Sequence, residues 1–244
     1  MTYNLIKGGV DMKNYLKETY LLDYNHPKIQ HLIAVRKWSE KDEFEKIKQI
    51  YNFVKDEIVF GYNSKDEFKA SEILEQGYGQ CNTKAVLLMT LLRGVGIPTR
   101  IHGFLIDKTM QKGALVGLTY LMAPKKISHA WVEVYYKGNW IALEGVIPDK
   151  SYYNAVRDNL QKRDGGYYGY AIAVKDKCAD NFCFVGKDTY SQSLAITDDV
   201  GIYDSPEPFF KKFNNTNSPL KGFLFGKILS KRLNKRLQKI RNRR

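Results

Sequence analysis

Three residues in the middle of the chain have side chains that could carry out covalent chemistry together. Cys81 follows Gly79 and Gln80 and opens an apolar helical stretch. A helix start favours an anion, so a thiol placed there is shifted toward the reactive thiolate. His129 and Glu144 follow in order, and they supply an imidazole to take and return a proton and a carboxylate to orient the imidazole. This set of side chains indicates nucleophilic attack on a carbonyl group.

Each of the three residues also has a structural interpretation. Cys81 could be a small buried hydrophobe at the head of a core helix. His129 could be a histidine at the edge of the core whose ring is satisfied by backbone groups. Glu144 could be a strand residue that faces solvent.

A predicted β-hairpin must position the imidazole and the carboxylate. Strand-like sequence begins at His129, passes through a turn at Lys137-Gly138 and continues to Glu144. Closing this turn places Trp131 opposite Glu144 on the neighbouring strand. His129 then becomes the diagonal neighbour of Glu144 on the same face of the sheet.

A buried helix must position the thiol. Residues 81–93, CNTKAVLLMTLLR, are apolar on nearly every face, which is typical of a helix at the centre of a domain. Gly94 and Gly96 are expected to end this helix and Pro98 to prevent its resumption, and residues 99–106 have the composition of a strand.

The motifs GYGQCNTKAVLLMTLLRGVGIPTRIHGF and HAWVEVYYKGNWIALE resemble those of the transglutaminase-like superfamily of papain-like thiol enzymes. The first is similar to the family's Gly-x-Cys helix, which is followed by an Arg, a Gly-Ile-Pro and a strand that begins with Arg. The second is similar to its His-Ala-Trp hairpin, which ends in an acid. The two motifs run from about Gly77 to Glu144, within a motif core at about residues 44–149.

The resemblance implies a role for each candidate residue. Cys81 would be the nucleophile, His129 the general base and acid, and Glu144 the acceptor that orients the imidazole. The family's usual third residue is Asp, so Glu144 departs from the pattern by one methylene group, and Asp149 is a second candidate for this role. The resemblance also implies an oxyanion donor, for which the candidates are Tyr62, Gln76 and Gln80.

From these features we expect an α+β fold in which the Cys-bearing helix packs on an antiparallel sheet, as in papain-like and transglutaminase-like cores. The expected reaction is acyl transfer at a peptide or other amide bond through a thioester, ending in hydrolysis. The alternatives are a transamidating cross-linking enzyme, a binding module without turnover, and an adaptor that acts on anionic surfaces through a basic tail.

The basic residues are concentrated at the end of the chain. Of 244 residues, 43% are hydrophobic and 27% charged, as in a folded globular protein, and the longest apolar run is too short to span a membrane. Twelve of the 39 basic residues follow residue 210, whereas none of the 26 acidic residues does. Because the N-terminal sequence lacks the pattern of a secretory signal, we expect a cytoplasmic protein.

The tail predicts a basic amphipathic helix. Apolar residues recur at helical spacing with cations between them over residues 221–244. Such a helix could bind an anionic membrane, a nucleic acid or a groove on a protein partner, or its apolar stripe could dock on the chain's own body or on a second copy. We therefore expect a domain at 1–203, a linker at 204–220 and this helix at 221–244.

Other reactive side chains receive minor roles. His102 and Trp131 lie near the candidate residues and could line a substrate groove. No metal site and no cofactor site are predicted, because the histidines lack Cys or acidic partners at ligand spacing. Cys178 and Cys183 are predicted to be free thiols.

Overall fold

The computed structural model describes residues 6–7, 10–163, 165–213 and 228–242. The helices are α1 (Pro27–Val35), α2 (Glu43–Asn52), α3 (Ala70–Gln76), α4 (Cys81–Gly94), α5 (Gly117–Met122), α6 (Lys150–Val156), α7 (Pro206–Phe213) and α8 (Ser230–Arg241). The strands are β1 (Ile6–Lys7), β2 (Val10–Asp11), β3 (Val59–Phe60), β4 (Tyr78–Gly79), β5 (Thr99–Asp107), β6 (Lys126–Tyr136), β7 (Asn139–Ala142), β8 (Gln161–Arg163), β9 (Gly166–Gly169), β10 (Ile172–Val174) and β11 (Ile196–Tyr203). None of these helices is long and apolar enough to cross a membrane.

The main sheet has four strands in the order β11-β5-β6-β7, and every neighbouring pair is antiparallel. Its central strand β6 carries Ala130, Val132 and Val134, all buried, on one face. Alternation places these three side chains together, and α4 packs against this strand. The predicted α+β class, with a Cys-bearing helix on an antiparallel sheet, is confirmed.

Helix α4 lies at the centre of the core. Every residue from Asn82 to Arg93 is buried, and α1, α2 and α3 surround the helix on the sides that the sheet leaves free. Gly96 follows its end with a φ of 81°, in the left-handed region that favours glycine. Arg93 fixes the same end, because its side chain donates to Thr99 Oγ1 at 3.0 Å. The apolar sequence around the whole helix therefore corresponds to burial on all sides.

Helix α8 packs on the body of the protein. Its apolar stripe, formed by Leu233, Leu237 and Ile240, is buried. Arg241 forms an ion pair with Asp149 at 2.5 Å and also donates to Phe60 O at 2.6 Å. Of the docking partners considered for this stripe, the structure shows the chain's own body.

The structure differs from two expectations about the end of the chain. Residues 206–213, expected to be part of a linker, form α7, because Phe209 and Phe210 are buried in the core. Within the expected tail helix at 221–244, the structure describes residues 228–242. The rest of the expected linker, 214–220, together with 221–227 and 243–244, lies outside the described residues.

Candidate active site

Cys81 is the first residue of α4 and lines a cleft. Gln80 precedes the helix in an extended conformation, and its backbone N–H donates to Thr83 Oγ1 at 2.9 Å, which fixes the turn into the helix. Gly79 permits this turn, since a Cβ atom there would lie 2.8 Å from Thr83 Oγ1. The thiol is therefore placed where a helix start meets a cavity.

His129 and Glu144 form a buried pair. His129 Nε2 lies 2.6 Å from Glu144 Oε1, and both side chains have 0% of their surface exposed. The other ring nitrogen, Nδ1, is buried and has no hydrogen-bond partner in the described part of the chain. The Cys81 thiol is close enough to His129 to act on its pKa. The structure thus brings the three candidate side chains together.

The environment of His129 favours the imidazolium. Burial by itself lowers the pKa of His129, but the interactions with Cys81 and Glu144 outweigh it and raise the pKa above its usual value. The physical cause is the proximity of the Cys81 thiol and of the Glu144 carboxylate to one ring. Such a ring can hold a proton beside a thiolate and release it to a leaving group.

Glu144 reaches His129 by a different route from the one predicted. The hairpin register is as expected as far as the pair Glu133 and Ala142, but β7 then ends. Glu144 begins a 3₁₀ turn instead of lying opposite Trp131 in the ladder. The expected strand geometry at Glu144 is wrong, because its backbone pairs with another segment after Leu143.

That segment is residues 189–191, which the sequence did not point to. Glu144 N donates to Thr189 O at 3.0 Å, and Ser191 N donates to Glu144 Oε2 at 2.9 Å. Gly145 permits the approach, because a Cβ atom there would lie 2.8 Å from Thr189 Cβ. Both oxygens of the carboxylate therefore have partners, one on His129 and one on Ser191, and the carboxylate is held in a fixed orientation.

The cleft beside Cys81 has a volume of about 430 Å³, within the range typical of small-molecule sites. Most of its wall is apolar, contributed by Phe60, Ile106, Leu115, Met122, Ala123, Pro124, Ile127, Ile228 and Leu229. Lys65 and Asp66 are the charged residues among the described lining, and Asp66 Oδ1 accepts from Gln80 Nε2 at 2.6 Å. The site therefore suits an uncharged group next to the thiol.

The three candidate oxyanion donors are placed differently. Tyr62 lines the cleft, but its hydroxyl donates to Gln111 Oε1 at 2.6 Å. Burial first, and then the charge of Cys81, raise the pKa of Tyr62, so the hydroxyl keeps its proton. Gln80 also lines the cleft, whereas Gln76 does not, and its Oε1 accepts from an asparagine at 2.9 Å. Tyr62 and Gln80 thus remain near the thiol, and Gln76 is removed from it.

Asn82 is a cleft residue that sequence reasoning missed. It follows Cys81 on α4, lines the cleft, and is buried with its Oδ1 lacking a hydrogen-bond partner within the described residues. Its Nδ2 donates weakly to Ser128 Oγ at 3.4 Å. Its position directly after the cysteine was the available signal, and it places a side-chain amide beside the thiol.

His102 and Trp131 do not line the cleft. His102 lies between two carboxylates, with Nδ1 at 2.9 Å from Glu133 Oε1 and Nε2 at 3.0 Å from Asp199. Trp131 packs on Phe104, with 4.0 Å between the ring centroids. The two residues expected in a substrate groove therefore lie outside this cleft, and each contacts other side chains of the sheet.

The His102 cluster leads to a prediction about pH. Burial lowers the pKa of His102, but hydrogen bonds with Glu133 and Asp199 outweigh burial, so that the pKa is raised above the usual 6.5. Arg100 also pairs with Glu133 at 2.5 Å. A raised folded-state pKa gives stabilisation that is complete below the unfolded pKa and is lost as the pH rises through the folded pKa. We expect the melting temperature difference between the wild type and His102→Gln to be larger at about pH 6 than at about pH 9. A difference that is constant with pH would show that the imidazolium does not contribute.

The described residues contain no group of three or more His, Cys, Asp or Glu side chains arranged to hold a metal ion. Cys178 and Cys183 are free and exposed, whereas Cys81 is partly buried.

Part of the chain is similar to a known protein family and to solved structures. The model of the transglutaminase-like superfamily matches residues 33–145. No curated protein matches the chain. Among solved structures, a candidate cysteine protease from Cytophaga hutchinsonii is 21% identical with a TM-score of 0.42, and the match covers 56% of this chain and 42% of that protein. Red sea bream transglutaminase is 20% identical with a TM-score of 0.30, and the match covers 53% of this chain and 27% of that enzyme.

The chain thus spans less than half the length of either of these two structures. The segment matched by the family model contains Cys81, His129 and Glu144. Over residues 33–145, the chain is therefore similar to the transglutaminase-like superfamily.

Proposed function

We propose that the protein is a thiol-dependent hydrolase that acts on amide bonds through Cys81, His129 and Glu144. The observation that carries this proposal is the buried His129–Glu144 pair at 2.6 Å, whose imidazole also interacts with the thiol in the cleft wall. A histidine held in this way by a carboxylate is the arrangement that thiol catalysis requires.

The reaction has two steps. The Cys81 thiolate attacks the carbonyl carbon of the amide, the C–N bond breaks, and the His129 imidazolium gives its proton to the departing amine. Water then attacks the thioester while His129 takes a proton from it, the C–S bond breaks, and the carboxylic acid leaves with the thiolate restored. Glu144 keeps the ring oriented through both steps, and the backbone N–H groups at the start of α4 favour the developing oxyanion.

Hydrolysis is proposed over cross-linking because the cleft wall is mainly apolar and holds two charged residues, Lys65 and Asp66. Asp66 is engaged by Gln80, so this cleft offers little that would select a charged amine as the acyl acceptor. Water needs no binding site of that kind. The acyl part of the substrate would be a peptide or another uncharged amide.

The test is the rate of alkylation of each cysteine, followed by peptide mass mapping. At about pH 6, where ordinary thiols are almost fully protonated, we expect a small alkylating reagent to modify Cys81 at least about tenfold faster than the exposed Cys178 and Cys183. In His129→Asn this advantage should disappear. His102→Gln is the matched control, because it changes a histidine outside the cleft and should leave the rate at Cys81 unchanged.

If Cys81 reacts no faster than the two exposed cysteines, and His129→Asn has no effect, the chain is a binding module without turnover. If the advantage is present, amide substrates are screened with and without a primary amine. Products formed with water alone support hydrolysis, whereas products that require the amine support transamidation.

A further inference from the structure

Two long stretches of the chain lack acidic residues. Residues 108–132 contain four lysines and no Asp or Glu, and no Asp or Glu follows Glu207. The first stretch includes α5, and the second includes α8. Stretches of one sign of charge mark surfaces that attract the opposite charge.

The structure brings these two stretches together at the mouth of the cleft. Arg236 of α8 donates to Gly113 O at 2.8 Å, four residues before α5 begins. Met122 of α5 and Ile228, just before α8, line the same cleft. The mouth of the cleft therefore lies between α5 and α8, and neither of these helices contains an Asp or Glu residue.

Helix α5 presents apolar side chains to solvent. Leu118, Leu121 and Met122 are exposed by 70%, 71% and 67%, and Val116 directly before the helix is also exposed. With Ile228, these residues make up half of the ten large apolar residues found exposed in the described part of the chain. Such a concentration on a small surface marks an interaction site.

The backbone of α5 is fixed to the body. Lys108 Nζ donates to Ala123 O at 2.8 Å, just past the end of the helix. It also donates to Tyr120 O at 3.2 Å, in the last turn of the helix. The exposed apolar side chains therefore stand on an anchored helix. Because this helix is already ordered, inserting its side chains does not carry the entropic cost of ordering a loop.

Helix α8 supplies exposed cations next to this apolar surface. Its apolar stripe is buried against the body, so the helix itself is not free to insert into a membrane. Its outer face instead carries the exposed residues Lys231, Arg232, Lys235 and Lys239. Exposed cations beside an exposed apolar helix form a surface that complements anionic lipid headgroups over an apolar interior.

We propose that the mouth of the cleft docks on an anionic lipid bilayer, with α5 inserting its apolar side chains and α8 binding the headgroups. A nucleic acid would use the cations of α8 but would leave the leucines of α5 exposed to water. The bilayer engages both features, and it is therefore the partner that the surface fits. In this docked position the mouth of the cleft would face the membrane surface. The proposal does not depend on the chemistry at Cys81.

The test is co-sedimentation of the full chain with vesicles of phosphatidylcholine, with and without phosphatidylserine. We expect binding to the anionic vesicles that weakens with added salt, and little binding to the neutral ones. Leu118→Ser with Leu121→Ser should weaken binding by about tenfold for each leucine. Lys235→Gln with Lys239→Gln should weaken it by about fivefold for each lysine.

The matched control for the leucines is Val35→Ser with Val185→Ser, which changes exposed apolar residues outside this surface and should alter binding less than about twofold. The far-ultraviolet circular dichroism of all variants should be unchanged. The proposal is overturned if the leucine variant binds anionic vesicles as well as the wild type does. It is also overturned if duplex DNA competes fully for the chain and only the lysine variant loses affinity.

Discussion

Replacing Glu144 by alanine is expected to lower the free energy of unfolding by about 3–5 kcal/mol at neutral pH. His129 is fully buried, and its raised pKa means that the ring is an imidazolium at this pH. Removing the carboxylate leaves that charge without its hydrogen-bonded partner and leaves the Ser191 N–H without an acceptor. Chemical denaturation of the wild type and of Glu144→Ala measures this difference in the free energy of unfolding.

The pH dependence separates this charge effect from simple loss of volume. Because the folded-state pKa of His129 is raised, the stabilisation from the pair is complete below about pH 6.5 and is lost as the pH rises through the folded pKa. The difference between wild type and Glu144→Ala should therefore shrink toward alkaline pH. A difference that does not change with pH would indicate a cavity effect alone.

Glu133→Ala is the matched control for Glu144→Ala. Glu133 also pairs with a histidine, His102, but that pair is partly exposed and lies outside the cleft. We expect a smaller loss of stability and no change in the alkylation rate of Cys81. An equal loss of Cys81 reactivity in both variants would contradict the role given to Glu144.

Replacing Lys84 by methionine is expected to have the second large effect. Lys84 follows Cys81 by one helical turn and is fully buried, and its Nζ donates to Lys55 O at 3.0 Å and to Val146 O and Ile147 O at 2.9 Å. Methionine keeps the length of the side chain but leaves these carbonyl groups without this donor. We expect the free energy of unfolding to fall by about 3 kcal/mol or more, at about 1–3 kcal/mol for each buried group.

The charge of Lys84 adds a second signature. Burial, countered in part by Asp149, lowers the pKa of Lys84 to about 7. Between this value and the usual 10.5 the unfolded chain binds more protons than the folded one, so the stability of the wild type should rise with pH relative to Lys84→Met. Denaturation at several pH values measures this slope, and its absence would show that the amine stays charged.

Lys48→Met is the control, because the Lys48 side chain on α2 is half-exposed and makes only a surface ion pair with Glu45 at 3.7 Å, so the change should alter stability by less than about 0.5 kcal/mol. In Lys84→Met we also expect slower alkylation of Cys81, since Val146 ends the turn that begins at Glu144 and Ile147 follows it directly. Unchanged alkylation would show that Lys84 supports the fold without positioning the carboxylate.

The sequence predicted those parts of the fold that depend on local patterns. The helix of Cys81 is apolar on nearly every face and is buried on all sides. The register of the hairpin follows from its turn, because Lys137 and Gly138 both adopt positive φ angles, as a two-residue hairpin turn requires. Where periodicity and turn chemistry decide the structure, one sequence is sufficient.

The sequence did not predict the contacts between distant segments. Ser191 lies 47 residues from Glu144, and the Lys84 side chain reaches carbonyl groups 29 and 63 residues away. No periodic pattern marks such pairs, because each depends on how already formed elements pack. This is why the contact between Glu144 and His129 could be predicted from their residue types, whereas the turn that presents Glu144 could not.

The contacts of α8 affect the order in which the protein can be completed during synthesis. Asn234 receives a hydrogen bond from Tyr62 N at 2.8 Å and donates to Tyr62 O at 3.1 Å, and Arg241 binds Phe60 O. Phe60 and Tyr62 form part of the cleft wall beside the thiol. A nascent chain can therefore bury its cysteine helix early, but it cannot finish this wall until Arg241 has left the ribosome. The Cys81 thiol would thus be translated well before the pocket beside it is complete.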